Sequence, residues 1–149
     1  MRLSLPLISL PLTVLAAGDE PFEWGFYGSC YGDRVLQRAA GEKAWVSAHC
    51  YKRDGSEFLS HLDLDRCFSW ENGQIRPEKD GQGISGYCHG CAVYAPDEPK
   101  SHEGPNAKCL CGSQGVVDWA HFDLLKTVYN DDGVLSCFGL KGERGLFVG

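Results

Sequence analysis

The chain has 149 residues, is 43% hydrophobic, and sets 14 basic against 20 acidic residues for a formal net charge of −6. That balance, with no cluster of Lys and Arg, makes the chain a poor candidate for polyanion binding, because phosphate contacts need clustered cations. The length admits one compact domain or two intertwined halves.

In chain order, residues 1–18 read as a secretory signal. Arg2 gives the basic start, Leu3 to Leu15 is apolar, and small residues around Ala16-Ala17-Gly18 suit cleavage. Pro6 and Pro11 argue against a buried helix there, the run is too short for a membrane span, and no other run is long enough. The mature protein is then expected to be residues 19–149, secreted and extracellular. Its eight cysteines, at 30, 50, 67, 88, 91, 109, 111 and 137, are an even set behind a leader and read as disulfides. No Asn-x-Ser/Thr triplet occurs.

The mature part predicts an all-β protein. Helical periodicity is scarce, and 19 glycines punctuate short alternating runs: KAWVSAHCY (43–51), SEFLSHLDL (56–64) and GVVDWAHFDL (115–124). Asn72-Gly73 and Asp132-Gly133 signal two type I′ hairpins, because these residues tolerate the positive φ of that turn. RPEKDGQG (76–83) reads as a hinge. YAPDEPKSHEGPN (94–106) reads as an exposed loop.

The two hairpin regions repeat each other at an offset of sixty. His61 meets His121, Leu62 meets Phe122, Asp63-Leu64 meets Asp123-Leu124, and Arg66 meets Lys126. Phe68 meets Val128, Gly73 meets Gly133, and Ile75 meets Leu135. The internal repeat spans about 22–76 and 84–139. One copy of roughly fifty residues buries little core alone, so two copies must pack together, side by side or by exchanging elements.

The motifs FYGSC, WVSAHC and LDLDRCFSWENGQI, then KCLC and FDLLKTVYNDDGVLSC, resemble the cyanovirin-N homology family of lectins across nearly the whole mature chain. The resemblance implies two pseudo-symmetric halves. Each would be a three-stranded sheet from one repeat covered by a β-hairpin exchanged from the other. It implies the pairs Cys30–Cys50 and Cys88–Cys111, each closing a loop of about twenty residues, worth ~3 kcal/mol in the chain-entropy model. For the remaining four cysteines, Cys109 and Cys111 alternate by two and share a sheet face. That alternation favours Cys67–Cys109 and leaves Cys91 and Cys137.

The resemblance also implies non-catalytic binding of mannose-type oligosaccharides or glycoprotein glycans. It implies no cofactor and no metal, and a monomer or a domain-swapped dimer exchanged at the hinge around Pro77. A first site would gather Ser29 in the 26–29 run, Tyr51, Arg53, Asn130 and Asp132. Amides, hydroxyls and carboxylates in a shallow cleft match sugar hydroxyls, which both donate and accept. A second would gather Ser69, Trp70, Asn72, Ser113 and Gln114, with Tyr87 beside them. Trp70 stands there where repeat two has Asn130. Turn geometry by itself also selects Asn130, Asp132, Asn72 and Gly73, and Asp63 and Asp123 suit turn caps.

Three other classes compete. Cys88, Cys91, Cys109 and Cys111 have zinc-like spacing, but exported cysteines pair. A hydrolase could use His with Asp or Glu, yet His61 and His121 recur in both repeats, as a structural residue would, and no nucleophile, phosphate-loop or zinc-protease motif is present. Finally, an effector or interaction protein of the same fold could bind a protein partner through the 94–106 loop.

Overall fold

The computed structural model describes residues 23–37, 41–94 and 105–145. The expected leader and residues 95–104 of the inserted loop lie outside them. Repeat one supplies β2 (Cys30–Leu36), β3 (Trp45–Tyr51) and β4 (Glu57–Asp63), an antiparallel meander. They follow β1 (Glu23–Gly25) and one helical turn, α1 (Phe26–Ser29). A 3-10 turn, Leu64–Arg66, then leads to the hairpin of β5 (Phe68–Glu71) and β6 (Gln74–Pro77). Repeat two copies the order with β7 (Cys88–Val93), β8 (Ala107–Ser113) and β9 (Val116–Phe122). Its hairpin is β10 (Tyr129–Asp131) with β11 (Val134–Cys137).

The hairpins change places. The β10–β11 hairpin packs on β3 and β4 of repeat one, and the β5–β6 hairpin packs on β9 of repeat two. We call these assemblies half A (β2–β4 with β10–β11) and half B (β7–β9 with β5–β6). The loops at both hairpin tips take the turn read from the sequence. Asn72 and Gly73 have φ of 52° and 78°, and Asp132 and Gly133 have 47° and 89°.

The apolar repeat positions line the contact between each hairpin and the sheet it covers. Leu62, Leu64, Phe68 and Ile75 are buried, and so are their partners Phe122, Leu124, Val128 and Leu135. Phe68 of the crossing hairpin meets Phe122 of repeat two edge-on, with ring centroids 4.9 Å apart. Each large side chain removed from water contributes roughly 1.5–3 kcal/mol. The turns before the hairpins are capped as expected. The Asp63 side chain accepts the Asp65 amide at 3.0 Å, and Asp123 accepts the Lys126 amide at 3.1 Å.

Half A carries additions the repeat did not announce. β1 extends the hairpin on the β10 edge, and β12 (Leu140–Lys141) extends it beyond β11. β13 (Glu143–Arg144) joins β4 as a fourth strand. His61 secures this tail: its buried ring lies 2.7 Å from the Gly145 carbonyl through Nε2. His121 is exposed and stacks on Tyr94 instead. The two histidines share a sheet position but not a partner.

All eight cysteines are paired. Cys30–Cys50 and Cys88–Cys111 form as the family resemblance implied. The other two bonds correct the reading from alternation: Cys91 pairs with Cys109, and Cys67 with Cys137. The reason is a bulge between His89 and Ala92, where Gly90 takes φ 59°. A bulge adds one residue on its strand, so Cys88 and Cys91, three apart, face Cys111 and Cys109, two apart. Both pairs have Cα atoms 4.0 Å apart. Cys67 is thereby displaced to Cys137, which ties repeat one to the end of the hairpin of repeat two. The four thiols of the zinc reading are consumed by the two bonds of β7 and β8.

Candidate functional site

The residues of the first set converge from three segments of chain. In half A the buried Asn130 donates from Nδ2 to the Tyr51 carbonyl at 2.8 Å and to the Ser29 carbonyl at 3.4 Å. Its Oδ1 accepts the Gly133 amide at 2.7 Å. At the tip of the hairpin, Asp132 Oδ1 accepts the Arg53 amide at 2.9 Å. One hairpin therefore holds both the strand that ends at Tyr51 and the helical turn that ends at Ser29.

These bonds divide the set by role. Asn130 is 0% exposed and Ser29 is 3% exposed, so both lie beneath the surface and shape it through the backbone they hold. Tyr51 and Arg53 are exposed, and Asp132 is half-buried. Tyr51 belongs to an aromatic file with Tyr31 and His49, whose centroids are 5.2 Å apart and stacked; Tyr31 lies 5.6 Å from Tyr51. The Tyr31 hydroxyl donates to both carboxylate oxygens of Glu57, at 2.7 and 2.8 Å. That bond to Glu57 raises the Tyr31 phenol above its ordinary value. The result is an open surface carrying flat rings, a cation and carboxylates beside a fixed hairpin tip. Sequence reasoning missed Tyr31, His49 and Glu57. The alternation of β3 puts His49 and Tyr51 on one face, but pairing with Tyr31 depends on the register of β2.

The second set is built differently. Trp70 occupies the repeat position of Asn130 and makes no comparable polar clamp; its ring stacks on Tyr87 at 5.0 Å and 24°. Tyr87 is itself the repeat partner of Ser29, so the same two positions meet in both halves. Ser69 is buried, and its Oγ accepts the Gly83 amide at 3.3 Å. Asn72, Ser113 and Gln114 are exposed. Between the hairpin and β8–β9 lies a cleft of about 350 Å³, bordered by Trp70, Gly73, Ser113, Val116, Asp118 and Trp119. Trp70 and Ser113 are thus brought together. Asp118 and Trp119 were not singled out from the sequence.

Among the described residues, no group of three or more His, Cys, Asp or Glu side chains has a metal-holding arrangement. No helix there is long and apolar enough to cross a membrane.

Known structures share this architecture. A MoCVNH3 variant solved in complex with (N-GlcNAc)4 superposes with a TM-score of 0.56 at 15% identity, covering 75% of this chain and 95% of that one. Microvirin, in its mannobiose complex, gives 0.53 at 20% identity, covering 81% and 98%. The CVNH protein of N. crassa gives 0.56 at 16%, covering 77% and 99%. No curated protein matches the chain. The CVNH domain profile matches residues 26–136, which contain the β2–β4 and β7–β9 meanders, the exchanged hairpins up to the last residue of β11, and all but one of the cysteines, and the chain therefore belongs to the CVNH family.

Proposed function

We propose that this protein is a secreted, non-catalytic lectin that binds neutral oligosaccharides of the mannose type. The observation that carries this reading is the convergence in half A. Asn130 and Asp132, on a hairpin from one repeat, fix the backbones of Ser29, Tyr51 and Arg53 from the other. A shallow site of this kind offers prearranged acceptors, donors and ring faces, which is what polyhydroxylated ligands need. Prearrangement matters because ordering loops on binding costs affinity. Two neighbours of the same fold were solved with saccharides, N-GlcNAc tetramer and mannobiose. Four disulfides suit a protein exported to an oxidising compartment, in keeping with the leader read at residues 1–18.

The test is a glycan array probed with the oxidised protein. Signal on terminal α-mannose structures, removed by free oligosaccharide and lost in an Arg53→Ala, Asp132→Ala double variant that keeps its fold, supports the reading. A folded protein that binds no glycan overturns it and moves attention to a protein partner for the 94–106 loop.

A further inference from the structure

The two meanders differ at their outer edges. β2 and β7 pack against each other, and each carries a bulge, between Tyr31 and Arg34 and between His89 and Ala92. β4 is joined by β13: Glu143 pairs with His61, Arg144 with Ser60, and the Gly145 amide donates to the Leu59 carbonyl at 2.9 Å. β9 pairs with β8 from Val116 to Phe122 without a register shift, and among the described residues no strand pairs with its other side. The cause lies in connectivity. The residues sixty before Glu143 and Arg144 are Gly83 and Ile84. Both are bound to repeat one: the Gly83 carbonyl accepts the Trp70 amide at 3.1 Å, and the Ile84 amide donates to Asp65 Oδ1 at 2.7 Å. The segment that could close the edge of β9 is occupied by the link to β7. The hairpin does not stand in the way of a further strand. β11 packs on β4 as β6 packs on β9, and β13 still pairs with β4.

The open edge is also apolar. Glu57 and Leu59 of β4 become Val117 and Trp119 in β9, while His61 stays histidine as His121. Val116, Val117 and Trp119 are 76%, 52% and 45% exposed. Unpaired edges ordinarily carry charges or bulges that prevent association. We infer that β9 is the edge at which two copies of this protein pair, antiparallel about a two-fold axis at Trp119; the inference is independent of the lectin reading. In an antiparallel ladder both backbone groups of a residue point to the same side. The Leu59 carbonyl points away from β3, to Gly145. By the repeat, the backbone groups of Val117, Trp119 and His121 point away from β8. In keeping with that direction, the Trp119 amide donates to Asp118 Oδ1 at 2.7 Å. A register centred on Trp119 sets it against Trp119 of the second copy, and Val117 against His121, so that all three residues exchange bonds. A register centred on Asp118 would set two carboxylates opposite each other, which is destabilising. Leu110 pairs with Trp119 on β8, and the Lys108 ammonium lies 4.7 Å from the Trp119 ring, so the side chain that meets its copy is already held. Asp118 competes with the second copy for the Trp119 amide, which keeps the pairing weak and reversible. The dimer carries two half A surfaces on one body, and linked sites gain apparent affinity for any ligand that spans them.

The test is sedimentation equilibrium of the oxidised protein, joined to amide NMR spectra of the same samples. One strand of seven residues offers less than the ~800 Å² per partner of a standard interface, so the expected dissociation constant is about 0.1–1 mM. The mass should rise from monomer toward dimer between about 10 μM and about 2 mM and fall again on dilution. Over the same range the amides of Val117, Trp119 and His121 should shift. Val117→Lys puts a charge on the edge and should weaken the dimer by about tenfold or more. Asp118→Ala frees the Trp119 amide and should tighten it by about fivefold, the order of one modest hydrogen bond. A parent and an Asp118→Ala variant that both stay monomeric at about 2 mM would overturn the inference. So would a dimer that Val117→Lys leaves unchanged, or one whose amide shifts lie away from β9, as a hairpin-exchanged dimer would give.

Discussion

Half A and half B arise from one repeated unit, yet each is held together by different forces. In half A the hairpin is clamped by polar bonds: Asn130 to Ser29 and Tyr51, and Asp132 to Arg53. Beneath the clamp, Phe58 fills the gap. In half B the position of Asn130 is Trp70, stacked on Tyr87, and the filler has become Asp118 over an open cleft. Half B is reinforced elsewhere, by the Cys91–Cys109 bond between β7 and β8; the residue equivalent to Cys109 in half A is the buried Ala48. In this chain the open space lies over the sheet that is cross-linked twice. The packed hairpin lies over the sheet that is cross-linked once.

The bond with the largest expected effect belongs to neither half. Cys67–Cys137 spans 70 residues of sequence, against 18 for Cys91–Cys109. Loop-closure entropy rises with loop length, so Cys67→Ala with Cys137→Ala should cost about 4 kcal/mol of unfolding free energy. Cys91→Ala with Cys109→Ala should cost about 3 kcal/mol by the same argument. Denaturant titration of the two double variants orders them. A reversed order would mean that half B depends on its extra staple more than the two halves depend on each other.

Next comes the polar clamp. Asn130→Ala leaves the Gly133 amide and the Tyr51 carbonyl without their partner in a buried place, and should cost about 3 kcal/mol. Asn72→Ala, at an exposed turn in half B, should cost about 1 kcal/mol, from the loss of a residue that tolerates positive φ. Equal thermal shifts for the two variants would erase the distinction between a clamped and an unclamped hairpin. The smallest contrast between the halves lies at the filler. Phe58→Ala should cost about 2 kcal/mol, since the ring is only half-buried. Asp118→Ala should stay within about 0.5 kcal/mol, as at exposed sites generally. A large loss from Asp118→Ala would show that the cleft of half B is structural.

Much of this was legible in the residues. The apolar repeat positions proved to be core positions, because a duplicated unit must bury the same apolar side chains. The two Gly-containing tips took positive φ, because few other residues can. Asp63 and Asp123 cap turns, as short acidic side chains do. The bulge at Gly90 was legible only in retrospect: Cys88-His89-Gly90 copies Cys30-Tyr31-Gly32, and Gly32 also sits at a register shift, with φ 65°. Reading that glycine as a bulge would have given the Cys91–Cys109 bond.

The sequence by itself determined the strands, the turns and the doubling of the unit, because alternation and turn chemistry are local signals and the repeat is in register; the exchange of hairpins came only from the family resemblance. The local signals fix strand type, turn type and which face is apolar. Tertiary structure alone decided which residues of a site are surface and which are scaffold. Asn130 and Asp132 are two residues apart and chemically alike, yet only the packing of a hairpin against a distant strand buries the first and leaves the second half-exposed. The same holds for the cleft: whether Asp118 faces an empty space depends on what the exchanged hairpin brings over it, and that contact joins residues more than forty positions apart.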